Sequence, residues 1–175
     1  TQVSVRLLET SDCNDVYVGW LRDPEINRYL ETRWQTQNLR SVKTFVRSMI
    51  NSPDNYLMGI FENDSDLHIG NIKLGPIHPH YAFADISYFI GSRRHWGKGL
   101  ATEAIGLLTR FGFATLKLHR LQAGLYASNL GSARALERNG YTLEGRFRKQ
   151  LLLGRQWQDH LWYGLLRQDY LARSR

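Results

Sequence analysis

The sequence predicts an α/β domain in which a mixed, strongly twisted sheet of about six or seven strands is flanked by helices on both faces. Three observations support this fold class. Segments with the two-residue period of strands alternate with segments whose apolar residues have helical spacing. Residues 83–104 contain such a change within one stretch, across a basic, glycine-containing turn. With 42% hydrophobic residues and no linker or internal repeat, residues 1–175 are predicted to form a single domain with a sizeable core.

The first half of the chain is predicted to supply strands and helices in alternation. The strands cover residues 3–8, 56–61 and 68–74, and the helices cover residues 12–21 and 37–50. Between the two helices, Asp23, Pro24 and Glu25 mark a turn. Pro24 suits the first position of a further short helix, because its missing N–H would have no helical partner there.

The second half is predicted to complete the sheet around a long amphipathic helix. That helix follows a strand at 82–91 and carries apolar residues at helical spacing: Leu100, Ala104, Leu107, Phe111, Ala114 and Leu118. A strand at 120–127 leads to a helix that is capped at Asn129 and closed by Gly140. The remaining predicted strands are 141–144, 148–153 and 160–166, with Gly154 turning the hairpin between the last two.

The composition limits the class of ligand and the compartment. A formal net charge of +7 suits an anionic ligand or a nucleic acid. Cys13 is the only cysteine, which excludes an internal disulfide and a cysteine-rich zinc site and favours a reducing compartment. No apolar run approaches the roughly 20 residues that span a bilayer, and no signal-peptide core is found. We therefore expect a cytoplasmic protein with no membrane contact.

The turn between strand 82–91 and the long helix is predicted to bind a diphosphate. A helix that starts near Gly99 leaves its first N–H groups without intrahelical partners, at the positive end of the helix dipole. Gly97 and Gly99 carry no Cβ, so an anion can approach the backbone closely. Arg93, Arg94 and Lys98 add positive charge beside it.

The spacing of the glycines and basic residues in this turn distinguishes among the known phosphate-binding motifs. A Walker A loop would need a glycine where Trp96 stands and Ser or Thr where Gly99 stands. The dinucleotide fingerprint fails at Thr102. The pattern Arg94-x-x-Gly97-x-Gly99 instead resembles the acyl-CoA loop, Q/R-x-x-G-x-G/A, of the GNAT superfamily of N-acetyltransferases.

A second motif strengthens this resemblance. Asn129 and Ser132, followed by Gly-Tyr-x-x-Glu-Gly at 140–145, are similar to the N-x-x-S and G-Y/F-x-x-E-G of the branch that contains the ribosomal-protein N-terminal acetyltransferases. Together the two motifs extend the resemblance over residues 82–161. Residues 20–30 resemble the opening of that branch and of acetyltransferases that act on amino sugars attached to nucleotides.

The resemblance implies a GNAT fold, with strands 82–91 and 120–127 splayed around acetyl-CoA. It implies that the backbone of Phe89 and Ile90 bonds to the pantetheine amides. It also implies that the turn holds the pyrophosphate through Arg94, His95, Trp96, Gly97, Lys98 and Gly99. Asn129 would bind the pantetheine chain, and Ser132 would lie near the thioester sulfur, where its hydroxyl can donate to the leaving thiolate. Without the resemblance, both residues suit helix capping instead.

Two positions depart from the family pattern. Leu136 stands where many members carry a Tyr general acid, which shifts that role to Ser132 or to solvent. Leu151 stands at about the position where the ribosomal-protein acetyltransferases have a Glu base, which weakens that particular interpretation.

An amine must lose a proton to attack a thioester, so a general base is expected. Asp85 is the first candidate, because it stands at the strand position where histone-type members present a catalytic Glu. A hydrogen-bonded strand carboxylate that positions the amine is the alternative. His78 and His80 are further candidates, since imidazole titrates near neutral pH. They lack a third ligand nearby in sequence, so no metal site is expected.

The expected function is therefore acetyl-CoA-dependent transfer of an acetyl group to a primary amine by direct attack. The acceptor is expected to be a small molecule such as an amino sugar nucleotide, contacted by Trp20, Arg28, Tyr29 and His80. Acetylation of protein N-termini, with a peptide amine as substrate, is the alternative within the family. A non-catalytic CoA-binding module and a nucleic-acid-binding domain are alternatives of other classes, the last being the least favoured. A homodimer is left open.

Overall fold

Seven strands form one mixed sheet in the computed structural model, which describes residues 1–173. The strands are β1 (Val3–Leu7), β2 (Tyr56–Glu62), β3 (Leu67–His78), β4 (Phe83–Ile90), β5 (Arg120–Tyr126), β6 (Thr142–Leu153) and β7 (Gln156–Leu166). The helices are α1 (Asp15–Arg22), α2 (Leu39–Ile50), α3 (Leu100–Arg110), α4 (Leu130–Arg138) and α5 (Arg167–Arg173). The strand order is β1-β2-β3-β4-β5-β7-β6. This confirms the predicted α/β fold class with a mixed sheet.

The two central strands separate soon after they meet. β4 and β5 are the parallel pair of the sheet, and their register covers residues 83–85 against 120–122. Beyond Asp85, within the part of the chain that the structure describes, β4 has no ladder partner on its β5 side, while its other edge stays paired with β3 up to Ile90. The splay leaves a gap in the middle of the sheet, lined by unpaired backbone groups of β4.

Two buried clusters cover opposite faces of the sheet. One cluster joins the sheet to α3 and α4, and includes Met58 and Leu108. The other joins it to α1 and α2, and includes Leu57 and Val46. Because successive side chains of a strand point to opposite faces, the neighbours Leu57 and Met58 show that the clusters lie on different sides. The gap between β4 and β5 therefore lies between the two helical layers.

The long helix after the turn is shorter than predicted. α3 ends at Arg110, and residues 111–115 form a wider turn with a π-type hydrogen bond from Leu116 N to Phe111 O, 3.1 Å. Glu103, in the first turn of α3, accepts a hydrogen bond from Gln2 N at 2.8 Å through its carboxylate. That contact ties the start of the chain to α3, in addition to any interaction with the helix dipole.

Residues 142–153 form one strand, not the two that were predicted. β6 contains two register shifts against β7, between residues 143 and 145 and between residues 147 and 151. Asp159 of β7 accepts a hydrogen bond from Lys149 N at 2.9 Å and pairs with Arg146. The bulges interrupt the alternation of side chains, which is why the sequence pattern breaks inside a continuous strand.

Two further predictions at short helices were wrong or incomplete. Pro24 does not begin a helix, because Asp23 Oδ1 accepts from Glu25 N at 2.9 Å and holds a turn there. A short 3-10 turn at Asn27–Tyr29 follows. The C-terminal helix α5 was not predicted.

Within residues 1–173, none of the helices is long and apolar enough to cross a membrane.

Candidate active site

A cavity of about 670 Å³ opens where β4 and β5 separate. Its walls are largely apolar and aromatic, and include Tyr17, Leu21, Tyr29, Leu30, Phe45, Leu57, Phe89, Leu125, Tyr126, Leu136 and Leu151. Its polar lining includes Glu31, Asn71, Lys73, Ser87, Asn129, Ser132 and His160. The splay of the central strands therefore creates a chamber in which a few polar groups meet within an apolar wall.

The start of α4 contributes Asn129 and Ser132 to this cavity. Asn129 is the N-cap residue, and its side-chain oxygen accepts from Ser132 N at 3.3 Å. The Tyr88 hydroxyl donates to Ser132 O at 3.2 Å, which fixes the first turn of the helix against β4. The Ser132 hydroxyl itself has no hydrogen-bond partner among the described residues. Asn129 therefore caps α4 and lines the cavity at the same time, and the Ser132 hydroxyl is free to donate a hydrogen bond to a ligand.

The turn before α3 has the backbone geometry that an anion site requires. Gly97 and Gly99 have φ angles of 74° and 82°, in the left-handed region. A Cβ built at either glycine would meet no heavy atom within 4 Å. The first bond of the helix runs from Glu103 N to Gly99 O at 3.0 Å, so the N–H groups of residues 100–102 precede the ladder. These residues fit a bound diphosphate.

The charged side chains of this turn have different surroundings. Arg93 pairs with Asp23 and Glu25, and the hydrogen bond from Arg93 lowers the pKa of Asp23. Arg94 and Lys98 are exposed and form no ion pair within residues 1–173. Arg93 is therefore occupied in fixing the turn to the segment after α1, whereas Arg94 and Lys98 can meet a phosphate.

His95 and Trp96 were predicted to contact the pyrophosphate, but their side chains are engaged within the protein. The side chain of His95 is 4% exposed, and its Nε2 lies 3.1 Å from Glu62 Oε1. His95 can therefore offer only its backbone to a ligand. The Trp96 indole donates to Ile90 O at 2.8 Å, which ties the turn to the end of β4. That bond occupies one lone pair of the Ile90 carbonyl, while Phe89 still lines the cavity.

Asp85 occupies the last position of β4 that pairs with β5. Its Oδ1 accepts from Gln122 Nε2 at 2.7 Å, across the parallel pair. Asp85 is outside the set of described residues that line the cavity, but Ser87, the next residue on the same face, belongs to it. Lys73 also lines the cavity; burial lowers its pKa, and Asp85 and Asp54 act in the opposite direction. The carboxylate thus lies at the base of the gap.

The predicted acceptor contacts are dispersed. Trp20 is 7% exposed and packs in the α1–α2 core, with its ring centroid 6.2 Å from that of Phe89. Arg28 and His80 are exposed and lie outside the lining described above. Tyr29 does line the cavity, and its hydroxyl donates to Ser128 O at 3.2 Å. Of the four, the structure places only Tyr29 where an acceptor could contact it.

A polar network that the sequence did not reveal lies at the part of the cavity wall that Glu31 and Tyr126 form. Arg33 donates to the Tyr126 hydroxyl at 2.5 Å, and that hydroxyl donates to Glu31 Oε1 at 2.8 Å. Arg33 also donates to Leu152 O at 3.2 Å, so the network joins the segment after α1 to β5 and β6. Burial raises the pKa of Tyr126. No local motif marks these residues, which are distant in sequence.

His160 is a second group that the sequence did not reveal. It stands opposite Tyr126 in the β5–β7 ladder and lines the cavity. Its Nδ1 lies 2.8 Å from Gln150 Oε1. Burial lowers the pKa of His160. A histidine on an alternating strand carries no signal of its own, and only the pairing of β5, β6 and β7 brings it to the site.

A splayed parallel pair, an unfilled glycine turn at a helix N-terminus and a free hydroxyl at the next helix start together form a site that fits an acyl-CoA, as the resemblance to the acetyltransferases implies. Comparison with known proteins agrees. A family model described as acetyltransferase (GNAT) domain matches residues 2–142. "Probable N-acetyltransferase YjcK" of Bacillus subtilis (strain 168) is 37% identical over 127 residues, 72% of this chain and 70% of that protein.

Two other relatives widen the comparison. The ribosomal protein uS5 alanine N-acetyltransferase of Escherichia coli (strain K12) is 32% identical over 121 residues, 66% of this chain and 59% of that protein. The crystal structure of spermidine N-acetyltransferase from Vibrio cholerae, in complex with CoA and spermine, superposes with a TM-score of 0.86 at 20% identity. It covers 97% of this chain and 98% of that chain. The chain belongs to the GNAT acetyltransferase family and is an N-acetyltransferase of that type.

Proposed function

We propose that this enzyme acetylates a primary amine on a small molecule, with amino sugar nucleotides as the first candidate acceptors. The observation that carries the proposal is the cavity, which joins the free Ser132 hydroxyl to a chamber large enough for a small acceptor. Glu31 is the one carboxylate among the described lining residues, and Arg33 and Tyr126 already engage it. Lys73 adds a cation. Apart from its reacting ammonium group, an acceptor that is neutral or anionic therefore suits these charges better than a polyamine does.

Acetylation of a protein N-terminus is the second candidate, favoured by the 32% identity to the uS5 alanine acetyltransferase. Against it, Leu151 lines the cavity at about the position where that branch has its Glu base. A peptide would need the cavity to admit an extended chain, whereas Arg33 links the segment after α1 to β6.

The residues that would hold acetyl-CoA follow from the geometry of the gap and the turn. Acetyl-CoA supplies an activated acetyl thioester. The N–H groups of residues 97–102, with Arg94 and Lys98, would bind its pyrophosphate. On the β5-facing edge of β4, the backbone of Ile90 would meet the pantetheine amides, whereas the backbone of Phe89 faces β3 and only its side chain lines the cavity. The Asn129 amide would contact the same arm. The positive N-terminal end of α3 favours the negative charge of the pyrophosphate, and that of α4 favours negative charge on the leaving sulfur.

Proton transfer is assigned to groups at the two sides of the gap. Ser132 Oγ holds a proton that it can give to the leaving sulfur. The proton lost by the attacking nitrogen passes to Asp85 or to water. Asp85 is suited to this because the Gln122 hydrogen bond fixes its carboxylate at the base of the gap.

Replacing Ser132 by Ala is expected to slow thiol release more than it weakens acetyl-CoA binding. The backbone N–H of residue 132 would still bond to Asn129, so α4 should keep its cap. Pre-steady-state thiol detection and calorimetric titration with CoA measure the two quantities. Ser128→Ala, a change just before the cap, is the control. A larger loss of binding than of thiol release would make Ser132 a binding residue only.

CoA release with a panel of amines tests the function itself. The panel contains amino sugar nucleotides, short peptides with N-terminal alanine, and spermidine. We expect the highest kcat/KM with a small amine that carries no positive charge beyond the reacting ammonium group. Peptide preference would favour the second candidate. A thermal shift with CoA but no CoA release with any amine would indicate a non-catalytic module; strongly salt-dependent nucleic-acid binding without that shift would reject both.

A further inference from the structure

His160 is one of the titratable residues that line the cavity and that the proposed mechanism does not use. It lines the chamber beside Tyr126 and Gly124, on the face of β5 and β7 that carries the polar network. A Cβ built on Gly124 would lie 2.2 Å from His160 Nε2, so the missing side chain at Gly124 makes room for the imidazole. The ring therefore rests against the glycine at the wall of the cavity.

The hydrogen bonds of the ring define its tautomer. Nδ1 lies 2.8 Å from Gln150 Oε1, and an amide oxygen can only accept, so Nδ1 carries a proton. In the neutral ring Nε2 then has a lone pair. Nε2 has no hydrogen-bond partner among residues 1–173, and it is not fully buried. The lone pair is therefore accessible from the cavity.

The groups around the ring keep it neutral near pH 7. Burial lowers the pKa of His160, and Glu31 acts in the opposite direction. Glu31 is partly neutralised by Arg33, which lies 3.6 Å from it. Trp162 packs on the ring with centroids 5.1 Å apart, and Phe147 with centroids 6.2 Å apart. Asp159, the preceding residue, pairs with Arg146 and accepts from Lys149 N.

We propose that His160 removes the first proton from the acceptor, converting the incoming ammonium ion into the neutral amine that attacks. The proposal rests on the proposed function, because it needs an amine acceptor. One N–H bond of R–NH₃⁺ breaks, its electron pair stays on nitrogen, and the proton binds His160 Nε2. The imidazolium then returns that proton to water. The second proton, lost during attack, is the one assigned to Asp85 or water.

Gln150 is a positioning residue in this scheme. It lies within the second bulge of β6, between Phe147 and Leu151, where it meets the His160 ring. Its oxygen holds the Nδ1 proton and so keeps Nε2 as the base. Replacing Gln150 by Glu would retain the acceptor and add a negative charge, which raises the pKa of the imidazole.

The test compares benzylamine, an ammonium ion at neutral pH, with aniline, which is neutral there. Both are assayed beside the amine that gives the most CoA release in the panel. His160→Gln should lower kcat/KM by roughly 10²-fold for benzylamine and for a protonated panel amine, but leave aniline nearly unchanged. His119→Gln, a change at an exposed histidine outside the cavity lining, is the matched control.

Gln150→Glu gives a second readout that does not depend on turnover. NMR titration of the His160 ring, assigned with His160→Gln, should give a pKa below the usual 6.5 in the wild type and a higher one in Gln150→Glu. The acid limb of the benzylamine profile should move in the same direction. Equal losses for both amines in His160→Gln, or an unmoved ring pKa in Gln150→Glu, would overturn the assignment. Absence of CoA release with every amine would instead reject the proposed function, and this proposal with it.

Discussion

Replacing Gly99 by Val is expected to abolish measurable CoA binding. Gly99 has a φ of 82° at the N-cap of α3, a conformation that a β-branched residue strongly disfavours. The left-handed backbone costs roughly 1–2 kcal/mol, which corresponds to about 5- to 30-fold in binding if the turn must be held there. The Val methyl groups would also occupy the open space beside the N–H groups of α3. Calorimetric titration with CoA measures the loss.

Gly154→Val is the matched control for this variant. Gly154 also has a positive φ, 61°, and a Cβ there would meet no atom within 4 Å. It lies in the hairpin between β6 and β7, so the same backbone strain arises away from the turn. Both variants should lower the thermal midpoint, but only Gly99→Val should lose CoA. Retained CoA affinity in Gly99→Val would show that the phosphates are held elsewhere.

Replacing Asp85 by Asn is expected to lower kcat by roughly 10²–10⁴-fold while CoA binding stays intact. Asn keeps the side-chain oxygen that accepts from Gln122, so the end of the β4–β5 ladder should be preserved. What is lost is the negative charge, and with it a group that can take the proton released during attack. The pH–rate profile and calorimetric titration with CoA give the two readouts.

Asp15→Asn, on the exposed first turn of α1, makes the same chemical change away from the gap and should leave both readouts unaltered. Gln122→Leu should give a smaller loss than Asp85→Asn, because it frees the carboxylate without removing its charge. If the pH–rate profile of Asp85→Asn matches the wild type, Asp85 is a structural carboxylate beside Lys73 and Arg120, and water takes the proton.

The roles of His160 and Asp85 can be distinguished by measuring how each variant affects different substrate amines. An ammonium substrate loses two protons before the amide is complete, so His160 and Asp85 act at different steps. Asp85→Asn should slow aniline and benzylamine alike, since both lose a proton during attack. His160→Gln should slow benzylamine alone. This contrast distinguishes the two chemical roles whichever amine is the natural acceptor.

The sequence by itself determined the features that depend on local backbone geometry. The positions of Gly97 and Gly99 indicated a turn with free N–H groups, and both glycines have the left-handed φ that such a turn needs. Asn129 was identified as a cap because capping involves only residues within one helical turn. Alternation along residues 83–90 likewise defined β4. In each case the interacting groups are close along the chain.

The tertiary structure alone decided which distant side chains share the cavity. Trp20 is in the core because it fills the space beside Gly91 and Phe89, a contact that no local pattern contains. His160 reaches the cavity through the β5–β7 pairing, and two bulges in β6 set which of its residues stands opposite. Strand register depends on long-range pairing, so a one-residue difference would turn these side chains to the other face.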